Sequence, residues 1–128
     1  MSDMVTGLVI CHGQLAFEII DATQKIVGSA EGVYPFTNED LDNKGLHEKL
    51  YQVIREHSSE HIIAMVDLRG GSCWTVAKML TREFPQLKIV TGINIPMLIS
   101  FLTKREKLAF EELPQVLKED AHRGIVSE

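Results

Sequence analysis

The sequence predicts an α/β protein with a mainly parallel sheet of about four strands, covered by helices on both faces. Two observations carry this prediction. The runs Gly7-Leu-Val-Ile-Cys11 and Ile62-Ile-Ala-Met-Val66 have the near-continuous hydrophobicity of strands buried on both sides. Segments whose apolar residues recur at helical spacing alternate with such runs along the whole chain, as crossover connections between parallel strands require.

Taken in order, the first apolar run is a strand that ends abruptly at His12-Gly13. Leu15, Ile19, Ala22 and Ile26 then trace one helical face, and Gly28 is a stop just past the last of them. Gly32-Val-Tyr-Pro-Phe36 reads as a short strand whose Pro35 cannot donate to a ladder, which assigns it to the sheet edge. A polar connection over 37–43 leads to a second helix marked by Leu46, Leu50, Val53 and Ile54 and ending near Ser58-Ser59. The next buried strand, 62–66, is stopped by Asp67. Gly70-Gly71-Ser72 precedes Val76, Ala77, Leu80 and Phe84, a third helix with Ser72 near its N-cap. Residues 87–90 supply the last strand, and 95–102 and 108–117 the remaining helices. Pro96 and Pro114 suit first-turn positions, where a missing N–H costs nothing.

A length of 128 residues suits a single domain over 1–128. The composition, 45% apolar and 24% charged, is that of a soluble globular protein. Thirteen basic and 18 acidic residues give a net charge of -5, which disfavours nonspecific binding to nucleic acid or to an anionic membrane. The opening residues lack a cationic segment, and the apolar run at 7–11 is too short to span a bilayer or to act as a signal core, so a cytoplasmic protein is expected. Cys11 and Cys73 have no CxxC spacing and read as reduced thiols, Cys11 as a small buried hydrophobe.

In sheets of this kind ligands sit beyond the carboxyl ends of the strands, and His12 and Asp67 occupy that position on two different strands. A neutral imidazole is a competent nucleophile at one nitrogen while the other donates a hydrogen bond, and a carboxylate on a neighbouring strand fixes that tautomer. The plain alternative makes His12 a loop residue and Asp67 a turn or cap. After Asp67, the backbone N–H groups of Gly71-Ser72 and the Ser72 hydroxyl are suited to phosphate oxygens, or equally to ordinary helix capping. Neither GxxxxGK[ST] nor GxGxxG is present, so no nucleotide signature is found.

The other candidates read more plainly. Arg69 suits a phosphate, an acidic partner or solvent, and Trp74 suits packing or a docking surface. His57 and His61 have metal-ligand spacing, but a helix end falls between them and no third ligand is evident, so neither a metal nor a cofactor is expected. His47 and His122 read as surface residues, and the acidic residues Glu111, Glu112, Glu119 and Asp120 as a solvated helix face.

Three segments, Leu8-Val-Ile-Cys-His-Gly13, Met65-Val-Asp-Leu-Arg-Gly-Gly-Ser72 and Thr91-Gly-Ile-Asn-Ile-Pro-Met-Leu98, together resemble the mannose-type enzyme IIA family of the bacterial sugar phosphotransferase system. The resemblance implies a flavodoxin-like three-layer α/β sandwich, usually a homodimer. By it, His12 matches the histidine phosphorylated by the phosphocarrier HPr, Asp67 the aspartate that orients it, and Gly71 and Ser72 the loop beside the phosphoryl group. It also implies delivery to an enzyme IIB component and, indirectly, to the membrane components IIC and IID. Asn94, in the third segment, is expected at the site rim or in a structural role. The chain departs from the family at Cys11, where many members have Thr, at Arg69, where many have Trp, and at Cys73-Trp74-Thr75, where many have Pro-Phe-Asn. A standalone component is implied. The same fold used for regulation of a transcription or signalling partner, or as phosphoryl donor to a dihydroxyacetone kinase, is the alternative.

Overall fold

The computed structural model describes residues 4–57 and 60–128. Four strands, β1 (Thr6–Cys11), β2 (Val33–Thr37), β3 (Ile62–Val66) and β4 (Leu87–Thr91), form one parallel sheet in the order β2-β1-β3-β4. Five helices, α1 (Leu15–Val27), α2 (Asn43–His57), α3 (Ser72–Glu83), α4 (Ile95–Lys104) and α5 (Leu113–Arg123), cover it. The sequence therefore predicted the fold class and the number of strands correctly. None of the helices is long and apolar enough to cross a membrane.

Strand periodicity sorts the core into two layers. Val9, Cys11, Ile63 and Met65 face α1, α4 and α5, where they meet Ala16, Ile19, Met97, Leu98, Phe101, Leu113 and Leu117. Their neighbours Leu8, Ile10, Ala64 and Val66 face α2 and α3, against Leu46, Leu50, Ile54, Val76, Ala77 and Leu80. Because successive side chains point to opposite faces, a strand with helices on both sides must be apolar at every position. All six residues of β1 and all five of β3 are buried.

Local signals set the boundaries. Gly28 closes α1 with φ 96° and donates its N–H to the Gln24 carbonyl at 2.7 Å, a conformation that costs other residues more. Pro35 lies in β2, which among the described residues pairs only with β1 and so forms an edge. The expected end of the second helix at Ser58-Ser59 lies outside the described residues.

One helix differs from expectation. Residues 108–112 are non-helical, a bend at Leu108 followed by a turn over 110–112, and α5 runs from Leu113 to Arg123 instead of over 108–117. Pro114 is the reason: in a helix begun at 108 it would sit in the interior, without an N–H and against the carbonyl four residues earlier. Starting at Leu113 puts it in the first turn. Arg105 holds the preceding bend. Its buried guanidinium donates to the Val5 carbonyl at 3.4 Å and the Glu31 carbonyl at 2.5 Å.

Candidate functional site

The parallel register places the site. Ile10 pairs with Val66, so Cys11 and Asp67 lie level at the carboxyl ends of β1 and β3, with His12 one residue beyond. The Asp67 Oδ2 accepts two hydrogen bonds from His12, at 2.9 Å from the backbone N–H and 2.9 Å from ring Nδ1. A single carboxylate oxygen thus fixes both the backbone and the ring. The His12 side chain is 43% exposed and that of Asp67 14%, so the acid is the sheltered partner and the imidazole the accessible one. The other oxygen, Oδ1, is buried and has no hydrogen-bond partner among the described residues.

With Nδ1 turned to Asp67, the Cε1–Nε2 edge of the ring faces Gly71. A Cβ on Gly71 would lie 3.1 Å from His12 Cε1 and 3.5 Å from Nε2. Gly71 is also the N-cap of α3, so the start of that helix, whose first N–H groups have no partner within the helix, lies next to the ring. Gly13, the next residue, has φ 58° and open space where a side chain would be.

Ser72 is the first residue of α3 and makes no side-chain cap. Its hydroxyl accepts a hydrogen bond from Asn38 Nδ2 at 2.9 Å instead. Asn38, just past β2, was not among the sequence candidates. Cys73 is the second residue missed: it is fully buried, with Sγ 3.9 Å from His12 Nδ1. Burial first, then the nearby Asp67 carboxylate, pushes the Cys73 thiol up to about 11. Cys11, also fully buried, is pushed up to about 12 by burial, then by Asp67 and Cys73. Position six residues after Asp67, in the first turn of the helix that the loop opens, was the available signal for Cys73.

The remaining candidates take mainly structural places. Arg69 is exposed and its guanidinium lies 5.8 Å over the half-buried Trp74 ring. Asn94 caps α4 by accepting the Met97 N–H at 2.9 Å and ties it to α5 by donating to the Ala121 carbonyl at 3.1 Å. His57 and His61 do not converge: His57 bonds the Val53 carbonyl and packs on Tyr34, while His61 stacks on Phe110. His122 is exposed, whereas His47 is half-buried, 2.6 Å from Glu83 and stacked on Tyr51. Asp120 also departs from the expected solvated face. Its Oδ2 accepts from Lys104 Nζ at 2.6 Å and Ser100 Oγ at 2.5 Å, which holds the carboxyl below its ordinary range.

Compared with known protein families, residues 7–118 match EIIA-man, the PTS system fructose IIA component. The chain belongs to the EIIA-man family. As a phosphotransferase-system enzyme IIA component of the mannose type, this EIIA-man chain is 27% identical to the sorbose-specific EIIA component of Klebsiella pneumoniae over 127 residues, covering 96% of this chain and 91% of that protein. Its fold superposes with a TM-score of 0.90 on EIIA from Streptococcus agalactiae, at 22% identity and 97% coverage of both chains. The mannose/sorbose-specific IIA subunit from Enterococcus faecalis gives 0.83, at 26% identity and 97% and 94% coverage. Within the EIIA-man chain, then, the matched region spans both strand ends that hold the His12–Asp67 pair.

Proposed function

We propose that this protein carries a phosphoryl group on His12 Nε2, accepting it from phospho-HPr and passing it to an enzyme IIB component during sugar uptake. The observation that carries the reading is the Asp67 Oδ2 hydrogen bond to His12 Nδ1 at 2.9 Å. It puts the proton on Nδ1 and the lone pair on Nε2, the edge that faces Gly71 and the start of α3.

Transfer forms one P–N bond at His12 Nε2 as another breaks in the donor, whose imidazole departs. No proton leaves Nδ1. Positive charge develops on the His12 ring and is offset by Asp67, which lies in a sheltered, low-dielectric position where such stabilisation is strong. Phosphoryl oxygens fall beside the Gly71-Ser72 N–H groups, where a helix start favours negative charge. In-line positioning and charge stabilisation are the main requirements of such a transfer.

Docking of acidic or basic carriers is governed by the surface around His12 more than by total charge. Leu15, the first residue of α1, and Leu68, next to Asp67, are both exposed within three residues of the pair in sequence, which suits a transient apolar contact. A single cytoplasmic carrier domain that pairs as a homodimer and serves membrane components IIC and IID completes the reading.

The test incubates the full chain with phosphoenolpyruvate, enzyme I and HPr and follows label on the protein. His12→Ala abolishes labelling. Asp67→Asn retains an acceptor for Nδ1 but removes the charge, and labelling slows by at least about 100-fold. Full labelling of His12→Ala overturns the assignment. Passage to no IIB, together with phosphorylation-dependent binding of a regulator, would favour the regulatory alternative; transfer to a dihydroxyacetone kinase subunit would favour the third.

A further inference from the structure

We infer that His12, Asp67 and Cys73 form a binding site for a thiophilic divalent cation, Zn2+ in particular, whose occupancy withdraws His12 from phosphoryl transfer. The donor atoms are His12 Nδ1, Asp67 Oδ2 and Cys73 Sγ, which all lie within 4.8 Å of one another. Nδ1 stands 2.9 Å from Oδ2 and 3.9 Å from Sγ. Tetrahedral zinc with these ligands sets edges of about 3.4 Å between nitrogen and oxygen and about 3.6 Å from sulfur to either. Side-chain adjustments of at most about 1 Å bring the three atoms to that geometry.

The donor set selects the cation. One thiolate, one imidazole and one carboxylate suit a borderline-soft ion such as Zn2+ and disfavour Mg2+ or Ca2+, which take oxygen ligands. The rest of the site agrees. Asp67 Oδ1 is buried without a hydrogen-bond partner among the described residues, so a nearby positive charge relieves a desolvated carboxylate. Arg69, two residues away in sequence, is drawn over Trp74. Cys73 sits in the first turn of α3, where its thiol gives up its proton to bind the ion.

The consequence for transfer follows from the tautomer. Neutral imidazole bound through Nδ1 keeps its proton on Nε2, so the lone pair that attacks phosphorus is gone, and Asp67 is occupied by the metal. The one proton released on binding comes from the Cys73 thiol. This step rests on the phosphoryl-carrier reading; binding of the ion does not.

Cobalt(II), a spectroscopic substitute for zinc, is titrated into the reduced, metal-free full chain with no phosphoryl donor present. The expected result is one equivalent bound with a thiolate-to-cobalt charge-transfer band, lost on adding Zn2+. Cys73→Ser removes the band and weakens binding at least tenfold. Nitrogen NMR of the wild-type histidines needs no variant: zinc shifts His12 Nδ1 and moves the ring proton to Nε2. Absence of the charge-transfer band, its survival in Cys73→Ser, or His12 resonances unmoved by zinc each overturn the site. Zinc-saturated wild type that accepts phosphate at the metal-free rate overturns the inhibition. A chain that binds metal as described but never accepts phosphate fails only the carrier reading.

Discussion

Substituting the two glycines before α3 separates ring placement from backbone strain. Gly71 has φ -81° and ψ 178°, an extended conformation that alanine adopts freely. Its new Cβ, however, would lie 3.1 Å from His12 Cε1 and 3.5 Å from Nε2. Carbon atoms settle at about 3.5–4.0 Å, so the ring must retreat by roughly 0.5 Å or accept a methyl group against its Cε1–Nε2 edge. Because Nδ1 is held by Asp67 at 2.9 Å, the ring pivots about that bond and Nε2 moves most. A misplacement of about 1 Å costs on the order of 100-fold in rate, so half of it predicts a loss of about tenfold in Gly71→Ala. The exposed ring can yield, so stability changes by less than about 1 kcal/mol. Gly70 is the opposite case: φ is 89° and a Cβ there meets nothing within 4 Å. Gly70→Ala therefore costs about 1–2 kcal/mol of backbone strain and leaves the ring in place, with transfer within about twofold of wild type. Single-turnover phosphorylation from phospho-HPr and urea unfolding, measured on both variants, give the comparison. Wild-type transfer by Gly71→Ala, or a larger transfer loss in Gly70→Ala, refutes a role in transfer for the contact between Gly71 and the Cε1–Nε2 edge.

Two further predictions concern stability and pH. Cys11 and Cys73, ordinarily ionising at 9.0, are pushed up to about 12 and about 11 by burial and Asp67. Thiols raised in the folded state contribute stability that is full below about pH 9 and lost as pH rises toward those values, at about 1.4 kcal/mol per pH unit for each thiol. Urea unfolding of wild type and the Cys11→Ala, Cys73→Ala double variant is the measurement: the alkaline slope is expected to be shallower in the variant, and equal slopes contradict the burial of the thiols. Asp120 is held below the ordinary carboxylate range by Lys104 and Ser100, so its contribution is present above about pH 4 and lost as pH falls. Asp120→Asn is expected to cost about 1–2 kcal/mol at neutral pH and less in acid, and an unchanged difference across that range counts against the α4–α5 clamp.

Much of the fold was legible because each local signal agreed with the tertiary demand on it. Continuous apolar runs marked β1 and β3 because both their faces are covered. Pro35 marked an edge, and Gly28 a helix end, through the backbone chemistry of single residues. The start of α5 was misread because Leu108 packs against the core without being helical, so its apolar character extended the periodic pattern too far toward the N-terminus. Asp120 looked like part of a solvated face for a related reason: its partners Ser100 and Lys104 lie on another helix, and helical spacing within α5 carries no information about them.

The sheet order accounts for what was legible at the site and what was not. β1 lies between β2 and β3, so the residue after β1 has a strand-end loop on each side. From the β3 side come Asp67, Gly71, Ser72 and Cys73; from the β2 side comes Asn38, which reaches across to the Ser72 hydroxyl. Strand ends are visible in a sequence as the places where apolar runs stop, which is why His12 and Asp67 could be found as a pair. Contacts between loops depend on which strands are neighbours, and sequence order alone leaves that open. Once β2 and β3 are known to flank β1, the loop after Phe36-Thr37 becomes part of the site, and its one amide side chain bonded to Ser72 is the residue to examine beside His12. A central strand thus places His12 between two strand-end loops, with the β3 side holding its ring through Asp67 and the β2 side reaching it only indirectly, through Asn38 and Ser72.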